Sequence, residues 1–125
     1  QNRPININLL KIKLPLSAFL SITHRISGIL IFFIVLPVSV FIFSELTQSQ
    51  DYFNNFMIMY HKNLGIKFGC VGLILIFQYH IFTGVRHILM DFHILNESLS
   101  SSYKSAVTTL VLFAVNALIT LWVML

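Results

Sequence analysis

With 125 residues, 57% of them hydrophobic and 10% charged, the chain carries more apolar surface than a soluble domain of this size can bury, so its solvent is a lipid bilayer. Three hydrophobic spans use up most of that length, which excludes a separate catalytic domain and places any elaborate chemistry at sites shared with other chains. The formal charge of +4 is spread over the ends of apolar runs, the distribution of topology determinants, and excludes a nucleic-acid surface.

Residues 1–20 read as an interfacial arm. Positions 1–16 are polar, basic and twice interrupted by proline, at Arg3-Pro4 and Leu14-Pro15, which favours extended backbone ahead of the first span. The first fifteen positions hold no apolar core followed by small residues, so no secretory signal is expected. Helix one is predicted over about 21–44, with Pro37 tolerated as a kink. The polar segment Glu45–Asn63, with Asp51, Asn54, Asn55, His61 and Lys62, reads as an exposed loop with some helical content, its Tyr52 and Tyr60 suited to a membrane interface. Helix two is predicted over about 64–90. Gly65, Gly69 and Gly72 on its early turns form a small-residue strip suited to close approach by another helix or a flat ligand. Cys70 in the same stretch is the one cysteine, which excludes a disulfide framework or a cysteine-held cluster and leaves a small packed hydrophobe. The connection Asn96–Ser102 supplies capping residues for helix three, predicted over about 103–125.

The expectation is an all-α membrane protein of three transmembrane helices. Arg3, Lys11, Lys13 and Arg25 flank the start of helix one, and Arg86 and Lys104 flank the second connection, against Lys62 and Lys67 on the other face. That excess puts the N-terminus on the matrix or cytoplasmic side. Abundant Ile, Phe, Asn and Leu fit an AT-rich coding genome, which favours a mitochondrial inner membrane over a bacterial plasma membrane.

Ionisable residues inside spans are costly, and each therefore calls for a named partner or role. The first cluster is Ser21-Ile22-Thr23-His24-Arg25-Ile26-Ser27-Gly28. At ~3.6 residues per turn Ser21 and Arg25 stack on one face with His24 beside them, so a hydroxyl, a guanidinium and an imidazole reach one ligand. The competing reading has Ser21 capping the helix and Arg25 reaching lipid phosphates. The second cluster runs from His80 to Asp91 and places His80, Gly84, His87 and Asp91 on one face. His80 lies deeper than the rest, where the imidazole is neutral and bonded. Both an axial haem ligand and a hydrogen-bonded packing residue satisfy that demand. Arg25, Arg86, His24 and His87 are expected about two turns nearer the surface, where haem propionates emerge and need donors.

No second ligand is expected at the depth of His80. Helix one offers Ile, Leu and Phe there, helix three nothing stronger than Asn116 or Thr120, and His61 belongs to the opposite loop. A haem at His80 then has half its site in this chain, with a partner or a two-fold-related copy supplying the rest. A channel lined by His80, His87 and Asp91 is disfavoured, because no polar stripe continues through the other half of the bilayer.

Two stretches, Arg3-Pro4 followed by Ser21-x-x-His24-Arg25-x-Ser27-Gly28, and His80-x-x-x-Gly84-x-Arg86-His87-x-x-x-Asp91, closely resemble the cytochrome b membrane-anchor subunits of succinate dehydrogenase, the larger of the two anchors of respiratory complex II. The resemblance covers essentially the whole chain. One departure is His93, where the family generally has a small residue. The resemblance implies half of a haem-binding bundle, with His80 as an axial ligand of haem b and the other ligand from the smaller anchor subunit. It implies Ser21 and Arg25 at a ubiquinone site beside the iron–sulfur subunit, and His24 and His87 near the haem propionates, with Arg86 in the same environment. For Asp91 it leaves open proton delivery or a cap on helix two. FAD and iron–sulfur clusters are expected only in the partner flavoprotein and iron–sulfur subunits, so no succinate-oxidising site belongs to this chain. The alternative is a haem-free membrane anchor of a fumarate reductase-type complex.

Overall fold

The computed structural model describes residues 13–125; Arg3, Pro4, Lys11 and the first part of the expected arm lie outside the described residues. Three helices are long and apolar enough to cross a membrane: α1 (Leu16–Gln48), α3 (Leu64–Asp91) and α4 (Leu99–Met124). A shorter helix, α2 (Gln50–Lys62), joins α1 to α3. The described residues thus form an all-α membrane protein.

α1 starts earlier than position 21. Pro15, at φ −60° and ψ 151°, stands at its N-cap, where a missing N–H costs nothing and a fixed φ leads into the first turn. Ser21 is therefore an interior residue and caps nothing. Pro37 acts on the helix through the turn before it. Residues Ile31–Val35 form a π turn in which the Leu36 N–H reaches back to the Ile31 carbonyl. A wider turn makes room for a ring that cannot donate and that crowds the carbonyl four positions back, so the helix continues to Gln48.

The segment read as a loop is mostly helix. Ser49 is extended (φ −163°, ψ 168°) and its hydroxyl accepts from the Tyr52 N–H, while Asp51 in the first turn and His61 and Lys62 in the last complement the helix dipole. Asn63 alone separates α2 from α3. Its Oδ1 accepts from the Gly65 N–H at 2.8 Å and the Ile66 N–H at 3.3 Å, capping the long helix.

Beyond α3 the chain turns through His93 at φ 54°, a left-handed position that glycine usually fills. The His93 N–H bonds the Met90 carbonyl at 2.9 Å, and the Ile94 and Leu95 N–H groups bond the Leu89 carbonyl at 3.0 and 3.1 Å. This is the physical meaning of the one departure seen in the sequence: a small residue suits that backbone, and histidine holds it at a cost. Ser98 then caps α4, its hydroxyl accepting from the Ser101 N–H at 3.3 Å, so this helix too begins earlier than position 103.

Two polar latches close the bundle. At one end the Arg86 guanidinium of α3 donates to the Ser17 hydroxyl of α1 at 2.9 Å, to the Ser105 hydroxyl of α4 at 3.2 Å and to the Ser102 carbonyl at 3.2 Å. At the other end the Tyr60 hydroxyl donates to the Met124 carbonyl at 2.8 Å and Lys67 donates to the Leu125 backbone oxygen at 3.2 Å, its ammonium 5.6 Å from the Tyr60 ring centre. These contacts make α1 antiparallel to α3 and α3 antiparallel to α4. Large apolar side chains such as Phe32, Phe33, Phe43 and Trp122 stay exposed, as a lipid-facing surface requires.

The glycine strip of α3 does not serve close packing among the described residues. A Cβ at Gly69 or Gly72 would meet nothing within 4 Å. Gly65 closely approaches only the capping Asn63 side chain, at 3.1 Å, and the close approaches between helices are made by Gly28 and Gly84.

Candidate functional site

Where α1 crosses α3, each helix carries a histidine followed three and four positions later by a hydroxyl and a glycine: His24-Arg25-Ile26-Ser27-Gly28 and His80-Ile81-Phe82-Thr83-Gly84. Helical spacing sets the three side chains of each motif on one face. The two motifs meet reciprocally. His80 lies over Gly28, where an added Cβ would come within 3.3 Å of its Cε1, and His24 lies over Gly84, where it would come within 3.1 Å. Each glycine is a notch for the other helix's imidazole. The two rings stack with centres 4.2 Å apart and planes 11° from parallel.

The hydroxyls cross over as well. Ser27 Oγ is 2.9 Å from His80 Nδ1, and Thr83 Oγ1 is 2.8 Å from His24 Nδ1. A hydroxyl has one proton to give. Ser27 gives its proton to the His24 carbonyl at 2.6 Å, and Thr83 gives its proton to the Tyr79 carbonyl at 2.8 Å. Each hydroxyl must then accept from the facing imidazole, which places a proton on Nδ1 of both rings and leaves the lone pair of the neutral ring on Nε2. Ser27 and Thr83 are 5% and 3% exposed, so water does not compete for these bonds. One turn away Thr23 and Tyr79 share a further hydrogen bond between the same two helices.

His87 meets His24 edge-on at 5.5 Å, which makes a ladder of His80, His24 and His87. His24 thus sits between His80 and His87, opposite Thr83 and Gly84, about one turn along α3 from His80 where two were expected. Counting from helix ends missed this because the relative height of two helices is set where they cross, here by the paired glycine notches. His24 still does not complete a bis-histidine iron site. Such a site needs two ring nitrogens aimed at each other from opposite faces of a porphyrin, and two rings stacked face to face cannot do that. Among the described residues no group of three or more His, Cys, Asp or Glu is placed to hold a bare metal ion. His80 by itself fits haem iron, since its Nδ1–H is held by a buried hydroxyl and its Nε2 keeps the lone pair.

Arg86 departs from its expected place beside propionates. It is 4% exposed and its guanidinium is engaged by Ser17, Ser102 and Ser105, so it acts as the bolt of a three-helix junction. Arg25 is exposed, and among the described residues it has no acidic partner; Ser21, one turn before it, is half-buried. Asp91 is the exposed last residue of α3. The backbone N–H groups of residues 92–95 close that helix end, so the capping alternative for Asp91 has no place in the structure.

A cavity of about 610 Å³ lies toward the other end of the bundle and is walled by residues that include Phe41, Phe56, Met59 and Cys70. Its walls are mostly apolar, with Glu45 and Asn55 as polar exceptions. Sequence reasoning assigned no role to Ser27, Gly28 or Thr83. The available signal was the repeated pattern of histidine, two residues, hydroxyl and glycine on two different spans.

Fold and site together define a small helical membrane subunit whose first and second spans are joined by a crossed imidazole–hydroxyl pair. The sequence profile described as "Succinate dehydrogenase/Fumarate reductase transmembrane subunit" matches residues 1–121, and the chain belongs to that family. It is 34% identical to the succinate dehydrogenase cytochrome b556 subunit of Coxiella burnetii, over 71% of this chain and 70% of that protein. It is also 34% identical to the cytochrome b560 subunit of the same enzyme from Porphyra purpurea, over 89% of this chain and 88% of the relative. The cytochrome b560 subunit from Chondrus crispus is 36% identical over 73% of this chain and 72% of its own length.

Proposed function

We propose that this chain is the cytochrome b membrane anchor of a succinate:ubiquinone oxidoreductase. It holds one side of haem b through His80 and forms part of the ubiquinone site through Ser21 and Arg25. The observation that carries the reading is the His80–Ser27 hydrogen bond of 2.9 Å inside a glycine notch, which presets the imidazole tautomer that an iron ligand needs. The names of the relatives support the same role.

When bound, haem supplies a one-electron reservoir beside the quinone. The chain's own residues do the rest. Ser27 fixes the proton of His80 on Nδ1, and His24 stacked on the ring limits its rotation. Ser21 and Arg25 offer a hydroxyl and a guanidinium to the quinone carbonyl oxygens, where reduction builds negative charge that such donors stabilise. Asp91, exposed at the end of α3, is the group we assign to pass protons to those oxygens. His24 and His87, which continue the imidazole ladder beyond His80, would offer donors to the haem propionates, and Arg86 supports them by locking α3 to its neighbours.

Electrons reach the quinone from succinate through FAD and iron–sulfur clusters held in the partner flavoprotein and iron–sulfur subunits. The family resemblance assigns the second haem ligand to the smaller anchor subunit. The excess of basic residues flanking the first span's start and the second connection in the sequence, six against two, supports a quinone site on the matrix side of a mitochondrial inner membrane, or the cytoplasmic side of a bacterial one.

The test is the reduced-minus-oxidised optical spectrum of the intact complex, with and without His80→Ala. A b-type band that shifts or weakens in the variant is the expected result. An unchanged band would refute the axial assignment, and no band in the wild type would leave a haem-free anchor.

A further inference from the structure

The crossed motifs give the two buried hydroxyls unequal tasks if His80 is an iron ligand. We infer that Ser27 is a positioning residue for the haem, acting through His80 by accepting its Nδ1–H and so setting both the ring's orientation and its strength as a ligand. The inference rests on the haem reading above and goes beyond it, because it assigns control of the ligand to a residue on a different helix.

Four observations carry it. Ser27 is 5% exposed, so no solvent replaces it. Its proton is committed to the His24 carbonyl at 2.6 Å, which leaves the oxygen free to act only as an acceptor toward His80. That oxygen lies 2.9 Å from Nδ1, at hydrogen-bond distance. Gly28, the next residue, brings the α1 backbone close enough for the contact, with an added Cβ within 3.3 Å of His80 Cε1. A hydrogen bond at the remote nitrogen makes an imidazole a better electron donor, which favours the more highly charged ferric iron. Removing the acceptor therefore raises the haem midpoint potential. A tenfold change in the ferric-to-ferrous balance of a one-electron couple is about 59 mV.

The experiment uses the whole complex carrying Ser27→Ala, Ser27→Thr or Thr83→Ala in this chain, read by potentiometric titration of the haem band and by low-temperature electron paramagnetic resonance. Threonine keeps the hydroxyl, and Thr83 shows that the crossing accepts it in the equivalent position. The expected result is a raised potential and altered g-values in Ser27→Ala, recovery in Ser27→Thr, and a smaller change in Thr83→Ala, which removes the acceptor of His24 instead. A Ser27→Ala complex with wild-type potential and g-values overturns the inference while leaving His80 as ligand. Equal shifts in Ser27→Ala and Thr83→Ala also overturn it, because they report loosening of the crossing. Loss of haem from Ser27→Ala with retention in Ser27→Thr supports it, and loss from both assigns Ser27 to folding and overturns it. Failure of the haem reading itself shows separately, as an unchanged spectrum in His80→Ala.

Discussion

Substituting Gly84 by alanine puts a methyl group 3.1 Å from His24 Cε1, a few tenths of an ångström inside ordinary contact. Whether the imidazole can yield decides the outcome, and the structure closes its exits. Its Nδ1 is tied to Thr83 at 2.8 Å, one face lies 4.2 Å from His80, and His87 stands against another edge at 5.5 Å. Moving the ring aside lengthens the bond to Thr83 or presses on His80, and overpacking of this kind costs about 1–3 kcal/mol. Replacing a mid-helix glycine with alanine returns about 0.5–1 kcal/mol, so the net loss is on the order of 1–2 kcal/mol. Gly72→Ala on the same helix has open space around it and receives only the gain. The two variants should differ by about 2 kcal/mol, roughly 30-fold in the folding equilibrium, or several degrees in thermal midpoint for a chain of this size. The assay is thermal unfolding of the detergent-solubilised complex followed by circular dichroism, with the wild type and Gly72→Ala alongside. Equal midpoints for Gly84→Ala and Gly72→Ala would refute the notch argument and with it the claim that the crossing is set by these glycines.

Three further outcomes are expected. Arg25→Ala should depress quinone reduction while leaving succinate oxidation by an artificial acceptor largely intact; equal loss of both activities would point to an assembly role. Arg86→Ala should lower the thermal midpoint and the yield of complex, since hydrogen bonds from a charged donor contribute about 1.5–3 kcal/mol each and at least two are lost, partly offset by no longer burying a cation. Arg86→Lys should recover only part of this, because one ammonium cannot span Ser17 and Ser105, and full recovery would show that charge alone matters. His93→Gly should raise the thermal midpoint by relieving a left-handed residue, worth about 1 kcal/mol, and a fall would mean that the exposed contact between His93 and Glu97 at 3.5 Å outweighs the backbone strain.

The three spans, their lipid-facing character and the clustering of polar residues toward one end were legible in the sequence, because apolar run length and the spacing of ionisable residues are local properties of the chain. The same holds for the capping of α4 by a serine and for the turn at His93, where an unusual residue marked an unusual backbone. Helix ends were read less well. Pro15 starts α1 ahead of Ser21, and dipole-compatible charges and a serine cap turned a polar stretch into α2, since tertiary docking of Tyr60 and Lys67 against the end of α4 stabilises what composition alone leaves undecided.

Only the tertiary structure decided which glycines matter, where Arg86 points and what stands beside His80. The strip at Gly65, Gly69 and Gly72 looked like the packing face, yet close approach falls at Gly28 and Gly84. Arg86 lies one position before His87 in sequence but turns into a serine junction with α1 and α4, because adjacent helical residues point about 100° apart. His24 stacks on His80 because two antiparallel helices meet at matched motifs 56 positions apart, a register that no count along one helix contains. The residue types required for the chemistry were written along the chain; their pairing into a preset imidazole arose where α1 crosses α3.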